Sequence, residues 1–438
     1  MQPDNGALRR KGKMMSTASF TRFYRRSIAA LLIASVALPA TARTLVTERA
    51  VMTIRHGIRA PLDGEVPEGT RAAAPWPAWP VAQSRLTPHG ISALETLGRV
   101  DGDLWRGRGL IAAAGCPAPG SVRIWANNAD RTIESGAAYL RGFAPGCDLS
   151  VGHRPRDEVD PLFEPMRAGA TDFDTHAAVA AINRYTGGMA ALAARHRAGF
   201  ALLDKILGCS PRAVGCVPAA APLVRASGDG RGVDLIGPIR ATSGVAQVLL
   251  LEYLEGLPPT SVGWGRADVA TLRQLGALHA ALFDVFTRSP YMAAHQSAAL
   301  GRDILKTLAD PAGAKFTLFV GHDTTVTALA AALDVNLSAP GYAVNDVPPG
   351  GALLIEKLRD TDSGATFIRL SYRTQSPQEL RHGGKAVKEM PIIMPGCGAR
   401  LCPEARFRQM LTMRLAQTTR GSQPDFGSLA HHQHHLFP

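Results

Sequence analysis

Ala50-Val51-Met52-Thr53-Ile54-Arg55-His56-Gly57-Ile58-Arg59-Ala60-Pro61 changes character at its midpoint. The first five residues are apolar or β-branched and read as a buried strand. The remainder carries two arginines around a histidine, a glycine that permits close backbone approach and a proline that stiffens the exit. Ionisable residues just past the carboxyl end of an apolar strand mark the edge where open α/β sheets hold ligands. The pattern recurs twice: residues 315–320 (KFTLFV) run into Gly321-His322-Asp323-Thr324, and residues 121–126 (SVRIWA) lead through Asn127-Asn128-Ala129-Asp130 to Arg131. Three strand ends thus supply Arg, His and Asp, and the fold class they imply is α/β.

Working outward, β-like runs alternate with helical ones from residue 44 to about 165, with helical patterning over 88–99 and 132–142. From about 171 to 289 the chain turns Ala- and Leu-rich with helical periodicity over 177–206, 242–257 and 268–286. The β-like signal returns after Pro290, over 315–320, 351–356 and 365–372. The expected organisation is therefore a discontinuous α/β core, residues 43–170 and 290–420, interrupted by an all-helical domain over 171–289. A tail over 421–438, ending His431-His432-Gln433-His434-His435, has no periodicity and reads as a disordered polar terminus rather than a metal site.

Residues 1–42 read as an export signal: Arg22, Arg25 and Arg26, an apolar run over 28–38, then Pro39-Ala40-Thr41-Ala42, with cleavage expected after Ala42. An 11-residue run falls short of the ~17–25 residues that a spanning helix needs. The implied location is periplasmic or secreted, without membrane attachment once the signal is gone. The net charge of +12 also shrinks with that leader, which holds seven Lys or Arg and one acid; 41 basic against 35 acidic residues leave +6. No basic helix with interleaved aromatics follows, so the bias fits a small anionic substrate better than a nucleic acid.

Six cysteines fall into three local couples: Cys116 with Cys147, Cys209 with Cys216, and Cys397 with Cys402. Six cysteines allow fifteen pairings, and the clustering favours neighbours. Zinc, the rival reading, needs short spacings such as C-x2-C that are absent.

The chemistry of Arg55, His56 and Arg59 is that of an anion receptor. Guanidinium forks match phosphate oxygens bidentately, while their charge discourages protonation of His56 and keeps one ring nitrogen nucleophilic. A histidine is then placed to attack phosphorus.

These strings carry a family resemblance. The chain resembles the histidine acid phosphatases: RHGIRAP matches their RHGxRxP, GHDT their distal HD, and Ala129-Asp130-Arg131-Thr132 the segment bearing a further phosphate-binding arginine. Residues 75–81, 86–90, 263–266 and 348–351 are similar to segments of bacterial periplasmic phytases and glucose-1-phosphatases. The resemblance implies that His56 is the nucleophile of a phosphohistidine intermediate and that Asp323 is the general acid. It implies that Arg55, Arg59 and Arg131 bind the phosphoryl oxygens, with His322 adding another donor if it is protonated, and with no metal or cofactor. General-acid work requires a neutral carboxyl at the start, supplied by an acidic medium or a raised pKa. The cysteine couples are similar to disulfides of the periplasmic phytases, but no cysteines remain for the further bridge those enzymes carry.

The expected substrates are phosphomonoesters, sugar phosphates and inositol phosphates including phytate. The family's phytases follow RHGxRAP with Thr-Lys, whereas this chain has Leu62-Asp63, and exchanging Lys for Asp adds repulsion toward a polyanion. Leu62 is similar to the glucose-1-phosphatases, as is Glu255, which resembles an acid they place over the substrate. His279 and Arg288 fall in a segment resembling the substrate-facing wall. The alternative is a non-catalytic protein that binds a phosphate ligand, which would need neither His56 nor Asp323.

Overall fold

The computed structural model describes residues 43–209 and 215–418. The expected export signal and the expected tail lie outside the described residues. In chain order the elements are β1 (Leu45–Arg55), α1 (Pro88–Gly107), β2 (Val122–Ala126), α2 (Asp130–Phe143), β3 (Val151–Gly152), α3 (Thr175–Thr186), α4 (Met189–Arg195), α5 (Arg197–Leu207), β4 (Leu223–Ala226) and β5 (Val233–Ile236). They continue with α6 (Pro238–Leu254), α7 (Val269–Phe286), α8 (Pro290–Ala309), β6 (Phe316–Gly321), α9 (Asp323–Ala332), β7 (Ala352–Asp360), β8 (Thr366–Gln375), α10 (Pro377–His382), β9 (Val387–Ile392), β10 (Leu401–Pro403) and α11 (Glu404–Leu415).

Eight strands form one sheet in the order β10-β8-β7-β1-β6-β2-β3, with β9 also paired to β8. Strands β1, β6, β2 and β3 are parallel, and β7 to β10 pair antiparallel. The register decides the site: Arg55 of β1 lies opposite Gly321 of β6, and Ala126 of β2 opposite Val320. The chain therefore leaves all three strands at one level. The His56 amide donates to the Gly321 carbonyl and the Asn127 amide to the Val320 carbonyl, both at 2.9 Å.

Side chains of β1 alternate between two cores, as the period of two requires. Met52 and Ile54 face Leu94, Leu97 and Trp105 of α1 and Tyr139 and Phe143 of α2. Val51 faces the other way, in a core shared with Phe319 and Leu353 of the sheet and with Leu249, Leu275 and Leu300 of α6, α7 and α8. On the first face α1 and α2 cross at glycines. A Cβ at Gly98 would overlap the Tyr139 carbonyl, and one at Gly142 the Glu95 carbonyl.

The inserted segment is mainly helical but not wholly so. Strands β4 and β5 form a hairpin on its surface, with Val224 and Leu235 facing inward. The turn between them, Ser227-Gly228-Asp229-Gly230, carries the residue types that reverse a chain. The helical run expected over 177–206 is divided into α3, α4 and α5, first at Gly187 and Gly188, whose φ values of 73° and 91° suit glycine. A 20-residue helix, α8, follows Pro290 before the sheet resumes.

Disulfides join Cys116 to Cys147, Cys209 to Cys216 and Cys397 to Cys402. Cys209 and Cys216 lie with Asp204 in a group close enough to ligate an ion, but both sulfurs are spent on their bond. No helix among the described residues is long and apolar enough to cross a membrane.

Candidate active site

His56 is buried just past the end of β1. Its Nδ1 lies 2.8 Å from the carbonyl of Gly57, an arrangement satisfied when Nδ1–H donates. The lone pair is then left on Nε2. The Gly57 amide in turn donates to Ser135 Oγ of α2 at 3.0 Å, which fixes that peptide. Burial, followed by the charges of Arg131, Arg55 and Arg59, pushes the imidazole well below its ordinary value of 6.5. The nitrogen expected to attack is therefore unprotonated.

Arg55 is fully buried. Its NH1 donates to Gln247 Oε1 at 3.2 Å and to the Val347 carbonyl. Its NH2 stands 3.0 Å from Asp323 Oδ2 without the alignment of a hydrogen bond, and Nε has no partner. Arg59 spends both fork nitrogens on Glu65, at 2.8 and 2.9 Å, and keeps an unpartnered buried Nε. Arg131, in the first turn of α2, also has a buried Nε without a partner; burial and then Arg59 draw its pKa down to about 10. Three guanidiniums with unspent donors form an anion receptor, since a buried donor left unpaired costs about 1–3 kcal/mol and an oxyanion satisfies it.

His322 lies edge-on to His56, with ring centroids 5.5 Å apart. Its Nε2 is 3.2 Å from Asn127 Oδ1 and its Nδ1 is 3.4 Å from Arg131 NH2, the pattern of a neutral ring donating from Nε2. Burial and then Arg131 bring its pKa to about 3. The condition set for His322 from the sequence, that it be protonated, is not met, because burial and then the neighbouring guanidiniums disfavour a second proton.

Asp323 opens α9, where its Oδ1 accepts from the Thr324 amide at 2.7 Å. Burial pushes its carboxyl up, but Arg55, His279 and His322 override that and hold it near 2. The raised pKa considered from the sequence is not what the site provides. Asp323 is ionised here because Arg55 is its partner. His279 of α7 reaches the same carboxylate, Nε2 to Oδ2 at 3.6 Å, while its Nδ1 is 2.8 Å from Asp346 Oδ1.

Glu255 sits elsewhere. It caps the C-terminus of α6, where its carboxylate accepts from Thr87 Oγ1 at the N-cap of α1, and burial raises its pKa. The residue of α6 that meets Arg55 is Gln247, two turns earlier. Its signal was present in the sequence, a lone amide inside the apolar run Val245-Ala246-Gln247-Val248-Leu249-Leu250-Leu251. A helix apolar all round is buried, and a polar side chain inside it needs a partner. Glu65 had a weaker signal, the Asp63-Gly64 turn that folds its carboxylate back onto the Leu62 amide at 2.7 Å. Arg288 does not reach the cluster; it donates to Asn336 and stands 3.6 Å from Asp284.

Residues 47–180 and 259–373 match the histidine phosphatase superfamily (branch 2). The chain belongs to that family. Among histidine phosphatases it is 30% identical to the phytase AppA of Escherichia coli, over 83% of this chain and 91% of that one. It is 28% identical to the glucose-1-phosphatase of Salmonella typhimurium, over 87% and 96% respectively. The structure of the Hafnia alvei phytase in complex with myo-inositol hexakis sulphate superposes with a TM-score of 0.77 at 26% identity, covering 86% of this chain and 98% of that one. The enzyme class is thus that of a histidine phosphatase, and its α/β core with a helical insertion is the architecture the sequence implied.

Proposed function

We propose that this histidine phosphatase is a metal-independent acid phosphatase of the periplasm or the secreted fraction, cleaving phosphomonoesters through a phosphohistidine on His56. The observation that carries the reading is the tautomer of His56: Nδ1 is engaged by the Gly57 carbonyl, so Nε2 holds the lone pair beside three guanidiniums with unspent donors. Arg55, Arg59 and Arg131 take the phosphoryl oxygens and neutralise the charge that develops, the work a metal does in other phosphatases. The Nε2–phosphorus bond forms as the ester oxygen departs with a proton from Asp323. Water then attacks the phosphohistidine, returning a proton to Asp323. Disulfides in all three cysteine couples support an oxidising location.

The substrates are sugar phosphates and inositol phosphates, with monophosphates ahead of phytate. Glu65 occupies the Arg59 fork and Asp63 is exposed in the same loop. A cavity of about 360 Å³ beside His322 and Thr324 combines apolar Phe163, Phe286 and Met292 with one acid for each arginine, Glu164 and Asp229 against Arg167 and Arg231. Such a surface suits a neutral leaving group better than one carrying further phosphates.

The test is phosphate release at pH 4 to 6 with EDTA present, offering glucose 1-phosphate, p-nitrophenyl phosphate and phytate side by side. Release that survives EDTA and is abolished in His56→Ala is expected, with glucose 1-phosphate ahead of phytate in kcat/KM. No release on any of the three would overturn the reading in favour of a phosphate-binding protein.

A further inference from the structure

We propose that His279, held by Asp346, is the proton store of the site, passing a proton from its Nε2 to Asp323 before the leaving group departs and recovering it after hydrolysis. The proposal rests on the general-acid role of Asp323 given above, and it answers a difficulty in that role. Asp323 is paired with Arg55 and ionised, so the proton it must donate has to reach it from a neighbour.

The geometry supplies one candidate. His279 stands between two carboxylates, Asp346 Oδ1 at 2.8 Å from Nδ1 and Asp323 Oδ2 at 3.6 Å from Nε2. A neutral imidazole offers one N–H and one lone pair, so it satisfies only one of two anions; an imidazolium satisfies both. With Nδ1–H committed to Asp346, the mobile proton is the one on Nε2, and it points at Asp323. The 3.6 Å gap exceeds a hydrogen bond, and such contacts commonly tighten in the substrate complex. Substrate binding supplies a reason for closure: phosphoryl oxygens that engage Arg55 draw its charge away from Asp323, whose affinity for a proton then rises.

The pairing is built into the helix. Gly276 lies three residues before His279 on α7, and a Cβ there would overlap Asp346 Oδ2. The glycine leaves the space in which a buried carboxylate lies against the helix. The other ionisable groups facing this chain of contacts are Tyr342 and Tyr372 beside Asp346, His322, Arg55 and Arg131 beside Asp323. Burial makes both phenols hold their protons more tightly and keeps a second proton off His322, so none of these competes as a proton donor.

The balance closes over the cycle. In the first half the Nε2 proton moves to Asp323 Oδ2 and on to the ester oxygen, leaving phosphohistidine on His56 and a neutral His279. In the second half water gives a proton to Asp323 and its oxygen to phosphorus, and the proton returns to His279. His279 and Asp346 are positioning residues in this scheme, since both act through Asp323.

Asp346→Asn tests it with little change of shape. The measurement is kcat/KM across substrates whose leaving groups differ in their need for a proton, glycerol phosphate at one end and p-nitrophenyl phosphate at the other. The expected result is a loss of about tenfold or more on glycerol phosphate with less than about threefold on p-nitrophenyl phosphate, because only the alkoxide requires general acid. His279→Gln should show the same selectivity. Equal losses on both substrates, or no loss, would overturn the proposal. Alkali-quenched wild type that yields no phosphoenzyme would instead overturn the parent reading, so the two failures are distinguishable.

Discussion

Arg55 and Asp323 stand 3.0 Å apart, tying the last residue of β1 to the first residue of α9. On the proposed mechanism, the receptor for the phosphoryl group and the donor to the leaving group neutralise each other until an anion separates them.

Asp323→Asn should lower kcat/KM on alkyl phosphates by about 10²- to 10⁴-fold, the span of a lost general acid. Binding of inorganic phosphate should survive, because the guanidiniums are untouched. Calorimetric titration with phosphate alongside turnover separates the two effects, and a variant that loses both equally would contradict the assignment.

Stability should fall as the medium turns acid, and His322 is one reason. Its folded value near 3 lies below the ordinary 6.5, so between those values the unfolded chain binds a proton that the folded chain refuses. The contribution is absent well above pH 6.5 and reaches about 3 kcal/mol by pH 4.5. Asp323 adds to the loss at lower pH. Its carboxyl is held near 2, so its stabilisation is complete above the unfolded carboxylate value and disappears as pH falls through about 2. Urea melts of wild type and His322→Asn at pH 7 and 4.5 should show the smaller drop in the variant.

Asp63→Lys should shift preference toward phytate. Asp63 is exposed, so removing one charge and adding its opposite is worth about 1 kcal/mol, roughly a three- to tenfold gain in phytate kcat/KM relative to glucose 1-phosphate. The gain should shrink in high salt. An unchanged ratio at low salt would place Asp63 outside the path of the substrate.

Gly98→Ala should destabilise by about 1–3 kcal/mol, the usual cost of forcing atoms into a packed interface. The obstacle is the Tyr139 carbonyl of α2, which is main chain and has no rotamer to change. Because α2 carries Arg131 and Ser135, activity should fall along with the melting temperature. Gly107→Ala, with open space around its Cβ, is the control and should do neither.

The Cys116–Cys147 bridge spans 31 residues that include β2 and the start of the Arg131 helix. Replacing both cysteines by Ala should lower stability by roughly 3–4 kcal/mol on chain-entropy grounds, more than removing Cys397–Cys402, which spans 5. Paired denaturant melts of the two double variants check the order.

The convergence of the candidate site residues at one sheet edge was legible because its signals are local. Arg55 to Pro61, Asn127 to Arg131 and His322 to Thr324 each follow an apolar strand directly, and a parallel register does the rest. What escaped came from long-range contacts. Gln247 reaches Arg55 across 192 positions and Asp346 reaches His279 across 67. No spacing rule joins them. Glu255 misled because an acid at a helix end looks alike whether it faces a substrate or caps a neighbouring helix through Thr87. The hairpin β4–β5 was hidden by its length, four residues per strand within a long helical stretch.

The nitrogen of His56 proposed to react is selected by a carbonyl, and that carbonyl belongs to a glycine whose own amide is pinned by α2. In the first of these bonds the histidine's partner is main chain, not another side chain. The choice between the two ring nitrogens is thus shielded from ordinary point substitution. A variant library that scans every position for a switched attacking atom should find none, and only a change in the path of the backbone after β1 would release it.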